Sequence, residues 1–374
     1  MQINSIHLSN FRNYESLDFV PRSGINYLYG KNGQGKTNIL EAIYYCSSLR
    51  SHRTTKDPEL IRSGCDYFYI DTIFSRNDRE CEIQIVKKAH EKKAIKIDGL
   101  SMRRSADVVG KVNTVLFSPE DLRIVKGAPA DRRKFVDFLL CQISPKYYAD
   151  LQAYTTLLDQ RNRVLKEMKI RPSFGSVLED IDLQLAEYGA SIILKRIDTS
   201  RQIDEICSIK SSEISEGAEK MSFSYCPDIP VGDCRVLGDI KQMVFNKFRD
   251  SRHVDAIKEM TMHGIQRDDW EITTEGGSVK AFGSQGQQRT AVLSLKLAEI
   301  HIFEEVNGEA PIILLDDVMS ELDDRRRRAI GNVIDSNQTF FTGTDKSFFE
   351  MVSNKVSYYY VEKGRLVDKE CSCT

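Results

Sequence analysis

The chain has 374 residues, 41% of them hydrophobic and 29% charged. That is too apolar for a disordered polymer, and at about 150 residues per domain it implies two to three domains or one large domain with an insertion. No apolar run approaches the roughly 18 residues of a membrane span, and the opening MQINSIHLSNFRNYESLDF lacks the charged head and apolar stretch of a signal peptide. Nine cysteines, an odd number without a CxxC pair, read as free thiols of a reducing compartment, so a cytoplasmic protein is expected.

A net charge of −2 hides an asymmetry. Between Lys87 and Arg104, seven basic residues (Lys87, Lys88, Lys92, Lys93, Lys96, Arg103, Arg104) face only Glu91 and Asp98, and the stretch from Asp121 to Lys169 is also basic on balance. The segment Ala298–Asp324 is acidic. Such a split fits an anionic partner for one part of the molecule, and equally a solvated face.

In chain order, Tyr14–Val20 and Gly24–Tyr29 read as strands, followed by a glycine-rich loop from Gly30 and a helix over Thr37–Leu49. Tyr69–Phe74, Arg79–Val86 and Lys93–Asp98 predict an antiparallel sheet, closed by the turn dipeptide Asp98-Gly99; Val112–Phe117 is a further strand ended by Ser118-Pro119. The middle changes to helical spacing. Tyr147, Leu151, Tyr154, Leu158, Leu165 and Met168 form a heptad stripe in which Arg161 fills the missing step. Arg171–Gly175 breaks it, and Leu178, Ile181, Leu185, Tyr188 and Ile192 form a second stripe, predicting an antiparallel helical hairpin about 40 Å long. Beyond Gly238 come a helix to Met262, a break at His263-Gly264, and short strands at Trp270–Thr274 and Ser278–Ala281. A long helix through Leu293, Leu297 and Ile300 leads to strand Ile312–Leu315, a helix over Asp323–Ile334, and strands at Thr339–Phe341, Val356–Val361 and Arg365–Val367. Strands alternating with helices after residue 285 predict a parallel α/β core.

Two segments carry chemistry. Gly30–Thr37 reads GKNGQGKT, the pattern G-x-x-x-x-G-K-[ST], set between an apolar strand and a helix. Gly30, Gly33 and Gly35 let the loop, with Lys31, Asn32 and Gln34 between them, turn its N–H groups toward a phosphate. Lys36 would neutralise the β and γ phosphates and Thr37 would ligate Mg²⁺. Ile312–Asp317 reads IILLDD, a buried-type strand ending in two carboxylates: Asp316 for the Mg²⁺ shell and Asp317 to polarise an attacking water. An aspartate in that position is shorter in reach than a glutamate, which predicts slow hydrolysis. The wide gap between these segments sets the chain apart from compact kinases and GTPases. Just before the second lies FGSQGQQRT (Phe282–Thr290), where Ser284 and Gly286 precede a helix and suit a second anion-binding turn.

The whole set resembles an ABC-type ATPase head: Walker A at Gly30–Thr37, a signature turn at Ser284–Gln287, Walker B at Ile312–Asp316 and a D-loop at Ser320–Asp323. Walker A near one terminus and the remainder near the other resembles the SMC-like branch. Within it, NFRNY (Asn10–Tyr14), FSPEDLRIVKGAPADRRKFVD (Phe117–Asp137), QRDDW (Gln266–Trp270), FGSQGQQR and LLDDVMSELD resemble the RecF family of bacterial recombinational repair and replication restart. The resemblance implies an α/β, SMC-like head with a mixed or parallel sheet plus an antiparallel sheet, residues 1–120 with 255–374, and an inserted α-helical arm domain, residues 121–254. It implies ATP and Mg²⁺ as cofactors, with Ser284, Gly286 and Gln287 capping in trans the nucleotide of a second copy, so that ATP drives a homodimer that clamps DNA. It further implies RecR and RecO as partners, Glu120 near a lid-loop glutamine position, and Arg50 or Arg53 reaching for the phosphates. The family's switch histidine is absent: Thr342-Gly343-Thr344 follows the strand at 339–341. Lys87–Lys96 and Arg132–Lys134 are the cations expected to meet DNA phosphates. The competing expectations are a nucleotide-gated scaffold and the ATPase subunit of a transporter.

Overall fold

The computed structural model of the chain describes residues 1–168, 175–334, 336–344 and 356–367. The interruption expected at Arg171–Gly175 falls almost wholly outside them. The chain divides into two compact units, Met1–Asp121 with Glu299–Thr374, and Leu122–Ala298.

The first unit is built from two sheets. Strands β1 (Gln2–Phe11), β2 (Tyr14–Phe19), β4 (Tyr67–Arg76), β5 (Arg79–Lys88), β6 (Ala94–Ile97) and β7 (Leu100–Met102) form an antiparallel sheet in the order β2-β1-β4-β5-β6-β7. Strands β3 (Ile25–Tyr29), β8 (Thr114–Phe117), β12 (Ile312–Asp316), β13 (Thr339–Gly343), β14 (Val356–Glu362) and β15 (Arg365–Val367) form the other, in the order β15-β14-β3-β13-β12-β8. It is parallel except for the β14–β15 hairpin. Strand β3 and the first four residues of β12 are wholly buried, as continuous apolar runs require of a covered parallel sheet. Helix α1 (Lys36–Ser48) buries Ile39, Leu40, Ile43 and Tyr45 completely.

Strand β1 has no counterpart in the sequence expectation. Its buried residues Ile3, Ile6, Leu8 and Phe11 do not alternate, because the pairing with β4 shifts register between Ile3 and Ser5. A bulge there conceals the two-residue period by which strands are recognised.

The second unit contains helices α2 (Leu122–Lys126), α3 (Pro129–Ile143), α4 (Pro145–Met168), α5 (Gly175–Ile214), α6 (Leu237–Lys258) and α7 (Val279–Phe282), with a small sheet ordered β11-β10-β9. Its strands are β9 (Ser222–Cys226), β10 (Asp269–Thr274) and β11 (Gly277–Ser278). Helix α8 (Gln285–Asn307) begins in this unit and ends in the first. Helices α4 and α5 run antiparallel: Ser191 donates to Asp150 at 2.7 Å and, nearer the turn, Arg161 to Asp182 at 2.6 Å. Arg161, the odd member of the heptad stripe, is fully buried between Asp182 and Asp255. Helix α5 has 40 residues and runs well past the second stripe.

The second crossing between units lies at Ala298/Glu299 rather than at 254/255. Residues 255–298 pack inside the second unit for identifiable reasons. Asp255 receives Arg161, β10 pairs with β9, and the Lys296 ammonium lies over the Phe135 ring, 5.2 Å from its centroid. Among the described residues no helix is long and apolar enough to cross a membrane.

Candidate nucleotide-binding site

After β3 the chain turns through Gly30–Thr37 into α1. Gly30, Gly33 and Gly35 adopt φ of 149°, 78° and 114°, values that side chains disfavour. Space is also short at two of them. A Cβ on Gly30 would sit 2.4 Å from the Val361 carbonyl oxygen, and one on Gly35 would sit 2.6 Å from the Asn13 amide nitrogen.

The NFRNY segment holds this loop from outside. Asn13 Nδ2 donates to the Gln34 carbonyl at 2.9 Å, and the Tyr14 hydroxyl to the Gly35 carbonyl at 3.1 Å. Arg12 grips the fully buried Glu41 with two parallel bonds of 2.8 and 2.7 Å. The β14–β15 turn adds the Lys363 N–H to Gln34 Oε1 at 2.7 Å and the Gly364 N–H to the Gln34 carbonyl. Gln34 therefore gives its carbonyl and side chain to holding the loop, while Lys31 and Asn32 are exposed on it.

Lys36 is 4% exposed. Its ammonium donates to the carbonyls of Gly30 at 2.7 Å and Lys31 at 3.0 Å. Burial draws its pKa below the ordinary lysine value, against the pull of the Asp317 and Asp316 carboxylates. Strand β13 lies between β3 and β12, with Thr342 level with Leu28 on one side and Asp316 on the other. Asp316 Oδ1 accepts two hydroxyls, Thr37 at 2.8 Å and Thr342 at 2.7 Å. The Asp317 N–H donates to Thr342 Oγ1 at 3.0 Å. Asp317 itself takes the left-handed conformation, φ 53°, and its carboxyl is raised above the usual range by burial and by neighbouring Asp316. Thr344 is exposed; of the two threonines in the switch position, Thr342 is the one bonded to the Asp316 carboxylate and to the backbone of Asp317. Lys36, Thr37, Asp316, Asp317 and Thr342 thus meet at the carboxyl ends of three adjacent parallel strands, where open α/β sheets bind ligands.

Strand β8 runs parallel to β12 with Phe117 opposite Leu315. Glu120, on the turn after β8, consequently leaves the sheet at the same end and is exposed. Arg53 donates to Asn38 Oδ1 at 3.0 Å and stands 3.6 Å from Glu41, while Arg50 is exposed.

One residue here carried no sequence signal, a histidine in the loop after α1. Ser51 Oγ donates to Glu41 at 2.5 Å and accepts the N–H groups of Arg53 and Thr54, folding the loop tightly. This presents His52 edge-on to the Tyr44 ring, centroids 5.2 Å apart at 79°. Both ring nitrogens of His52 are buried with no hydrogen-bond partner, a burden of about 1–3 kcal/mol for each polar group so placed. Burial lowers its pKa, opposed by Glu41, Asp316 and Glu120.

In the second unit, Ser284 precedes α8 and is exposed. Its N–H donates to Gln287 Oε1 at 2.8 Å and its hydroxyl accepts the Gln287 N–H at 3.2 Å, a reciprocal cap that leaves Gly286 in the first turn.

Residues 2–366 match the family model of the RecF/RecN/SMC N-terminal domain. The "DNA replication and repair protein RecF" of Acetivibrio thermocellus is 39% identical over 98% of this chain and 99% of its own. The protein of that name from Clostridium novyi is 41% identical over 97% and 99%. The chain belongs to the RecF family. A solved structure of the recombination mediator protein RecF with ATP, in the RecFOR pathway, shares 35% identity and a TM-score of 0.88, covering 98% of both chains. The Smc head domain of Pyrococcus furiosus, at 17% identity and TM-score 0.56 over 98% and 96%, shares the fold.

Several cations of this RecF-family chain are committed internally. Lys87 donates to the carbonyls of Lys88 and Glu91. Lys93 caps the end of α1 through the Leu49 carbonyl and pairs with Asp57 at 3.1 Å. Arg132 is bound to Asp269 through Nε at 2.7 Å and Nη2 at 3.0 Å, and Arg133 donates to the Asp268 carbonyl. Of the stretches expected to meet phosphates, Lys88, Lys92, Lys96 and Lys134 are the exposed members. The alternation of charge along the sequence could not separate these from the cations spent on folding.

Proposed function

We propose that the chain is an ATP-dependent DNA-binding protein of recombinational repair and replication restart. The observation that carries this is the convergence of Lys36, Thr37, Asp316 and Asp317 on one end of the parallel sheet, beside a loop that backbone conformation and space restrict to glycine.

ATP binds at Gly30–Thr37, and the positive N-terminal end of α1 faces its phosphates. Lys36, held now by two carbonyls, exchanges these for phosphate oxygens. The donor set at Thr37 and Asp316 is all oxygen, which suits Mg²⁺; that ion commonly takes one or two protein oxygens and completes its shell with waters and phosphates. Held by Thr37 and Asp316, the ion would supply positive charge to offset that developing on the phosphates. Asp317, whose carboxyl is raised, takes a proton from the attacking water, and Thr342 fixes its backbone. Ser284, Gly286 and Gln287 cap the nucleotide of a second copy, so ATP closes a homodimer on DNA and slow hydrolysis reopens it. Contacts with DNA fall on backbone phosphates, through exposed lysines such as Lys92, Lys96 and Lys134. RecR and RecO are the protein partners, and the cytoplasm is the site of action.

Light scattering with and without ATP, and with short gapped duplexes, tests this. The expected result is an ATP-dependent dimer retained on DNA. The change Ser284→Arg should leave ATP binding by the monomer intact and abolish the dimer; a dimer that persists in the variant overturns the capping in trans. Turnover that DNA does not stimulate, with no DNA retained, would instead favour a nucleotide-gated scaffold.

A further inference from the structure

We infer that Gln288 is a positioning residue for the capping in trans: its side-chain amide, early in α8, holds the turn that presents Ser284 to a second copy. This rests on the dimer reading above and extends it to a residue that acts through Ser284 and not on the nucleotide itself.

The turn is short, and its outer side has little to hold it. Helix α7 is a single turn, Val279–Phe282, joined to α8 by Gly283 and Ser284. Phe282 is 80% exposed, so its ring contributes almost no packing. The inner side is held by hydrogen bonds that converge on Gln288. Its Nε2 donates to the Gly283 carbonyl at 3.0 Å and to the Val279 carbonyl at 3.5 Å. Its backbone N–H donates to the Ser284 carbonyl at 3.0 Å. The Gly283 N–H closes on the same Val279 carbonyl, and a Cβ at Gly283 would lie 2.5 Å from that oxygen. Lys280 ties α7 from the other side, donating to the Gly127 carbonyl at 2.7 Å.

The choice of glutamine is the telling point. Gln288 is 8% exposed, and its Oε1 is buried with no hydrogen-bond partner. An acceptor left so costs about 1–3 kcal/mol, which a leucine in the same place would avoid. What the amide offers in return is its donor end, and the Gly283 and Val279 carbonyls it meets can only accept. A capping hydroxyl must be held within about 0.5 Å of its productive place, and Ser284 stands at the exposed junction of two helices. Its bonds to Gln287 fix it to α8. Gln288 fixes the chain that enters it, and so the direction in which Ser284 faces.

The test uses the full chain with a non-hydrolysed ATP analogue and Mg²⁺. Light scattering reads the dimer, anisotropy of a fluorescent analogue reads affinity of the dilute monomer, and thermal unfolding reads stability. Gln288→Leu fills the space without a donor; Gln288→Lys keeps a donor of similar reach and discards the orphaned acceptor. Gln288→Leu should raise the dimer dissociation constant about tenfold, with monomer affinity and melting temperature unchanged. Gln288→Lys should recover part of the dimer. A dimer of ordinary strength in Gln288→Leu overturns the inference, as does a loss matched by a fall in melting temperature or in monomer affinity. A Gln288→Lys dimer no stronger than that of Gln288→Leu overturns the donor role. If the unaltered protein forms no dimer with the analogue, the capping in trans fails first, and the two failures are thereby distinguished.

Discussion

The helical unit and the nucleotide site treat buried charge differently. In the helical unit buried charges are paired. Arg161 bonds Asp182 and Asp255 with all three residues fully buried. Arg196 reaches Asp137 at 2.8 Å, Asp268 at 2.6 Å and the Ile265 carbonyl at 2.9 Å, with Trp270 beneath its guanidinium. Asp268 in turn accepts the Tyr225 hydroxyl and the Asp228 N–H. In the nucleotide-site unit, the Lys36 ammonium rests on two carbonyls and His52 has no partner at either nitrogen. Pairing a buried charge stabilises one arrangement of the chain; leaving it unpaired keeps it for something the free protein lacks. Burial alone therefore does not mark function; Lys36 is set apart because the hydrogen bonds of its ammonium go to carbonyl oxygens.

The largest expected effect falls on the paired side. Arg196→Ala strands Asp137 and Asp268 and should remove about 3–5 kcal/mol of stability in urea unfolding. A loss below about 1 kcal/mol would erase the contrast, because these pairs would then behave as surface bridges. On the other side, Lys36→Met should change folding stability by no more than about 1 kcal/mol yet weaken ATP analogue binding roughly 10- to 100-fold, the worth of one hydrogen bond to a charged group. Equal losses of stability and binding would show that Lys36 is structural. The smallest effect sharpens the electrostatics: Asp316→Asn should lower the Asp317 pKa toward its ordinary value, because the Asp316 charge is one cause of its elevation. Carboxyl NMR titration reads this, and an unmoved Asp317 would assign the elevation to burial alone.

Much of the site was legible because its requirements are local. The glycines of Gly30–Gly35 stand where φ is positive, and the Ile312–Leu315 run ends in its carboxylates where the strand leaves the core. Serine and glutamine at positions 284 and 287, read as part of an anion-binding turn, bond each other reciprocally at the start of α8. Other features stayed hidden because they depend on distant contacts. Strand β1 hides behind a register shift, and β9 offers a period of two only through Phe223 and Tyr225, facing β10 across a long gap in sequence. Lys87, Lys93 and Arg132 look like any surface cation until their carbonyl and carboxylate partners are known.

Sequence alone determined which loop can cradle a phosphate, which strand ends in carboxylates, and which family the chain resembles, since each depends on residue type at fixed short spacing. Only the tertiary structure decided that β13 stands between the two motif strands, so that Thr342 joins Asp316 to Asp317. It also decided that the units divide within α8, and that both ring nitrogens of His52 are buried without a hydrogen-bond partner. The physical reason is that strand order and side-chain partnership arise from the packing of residues hundreds of positions apart, which no local pattern encodes.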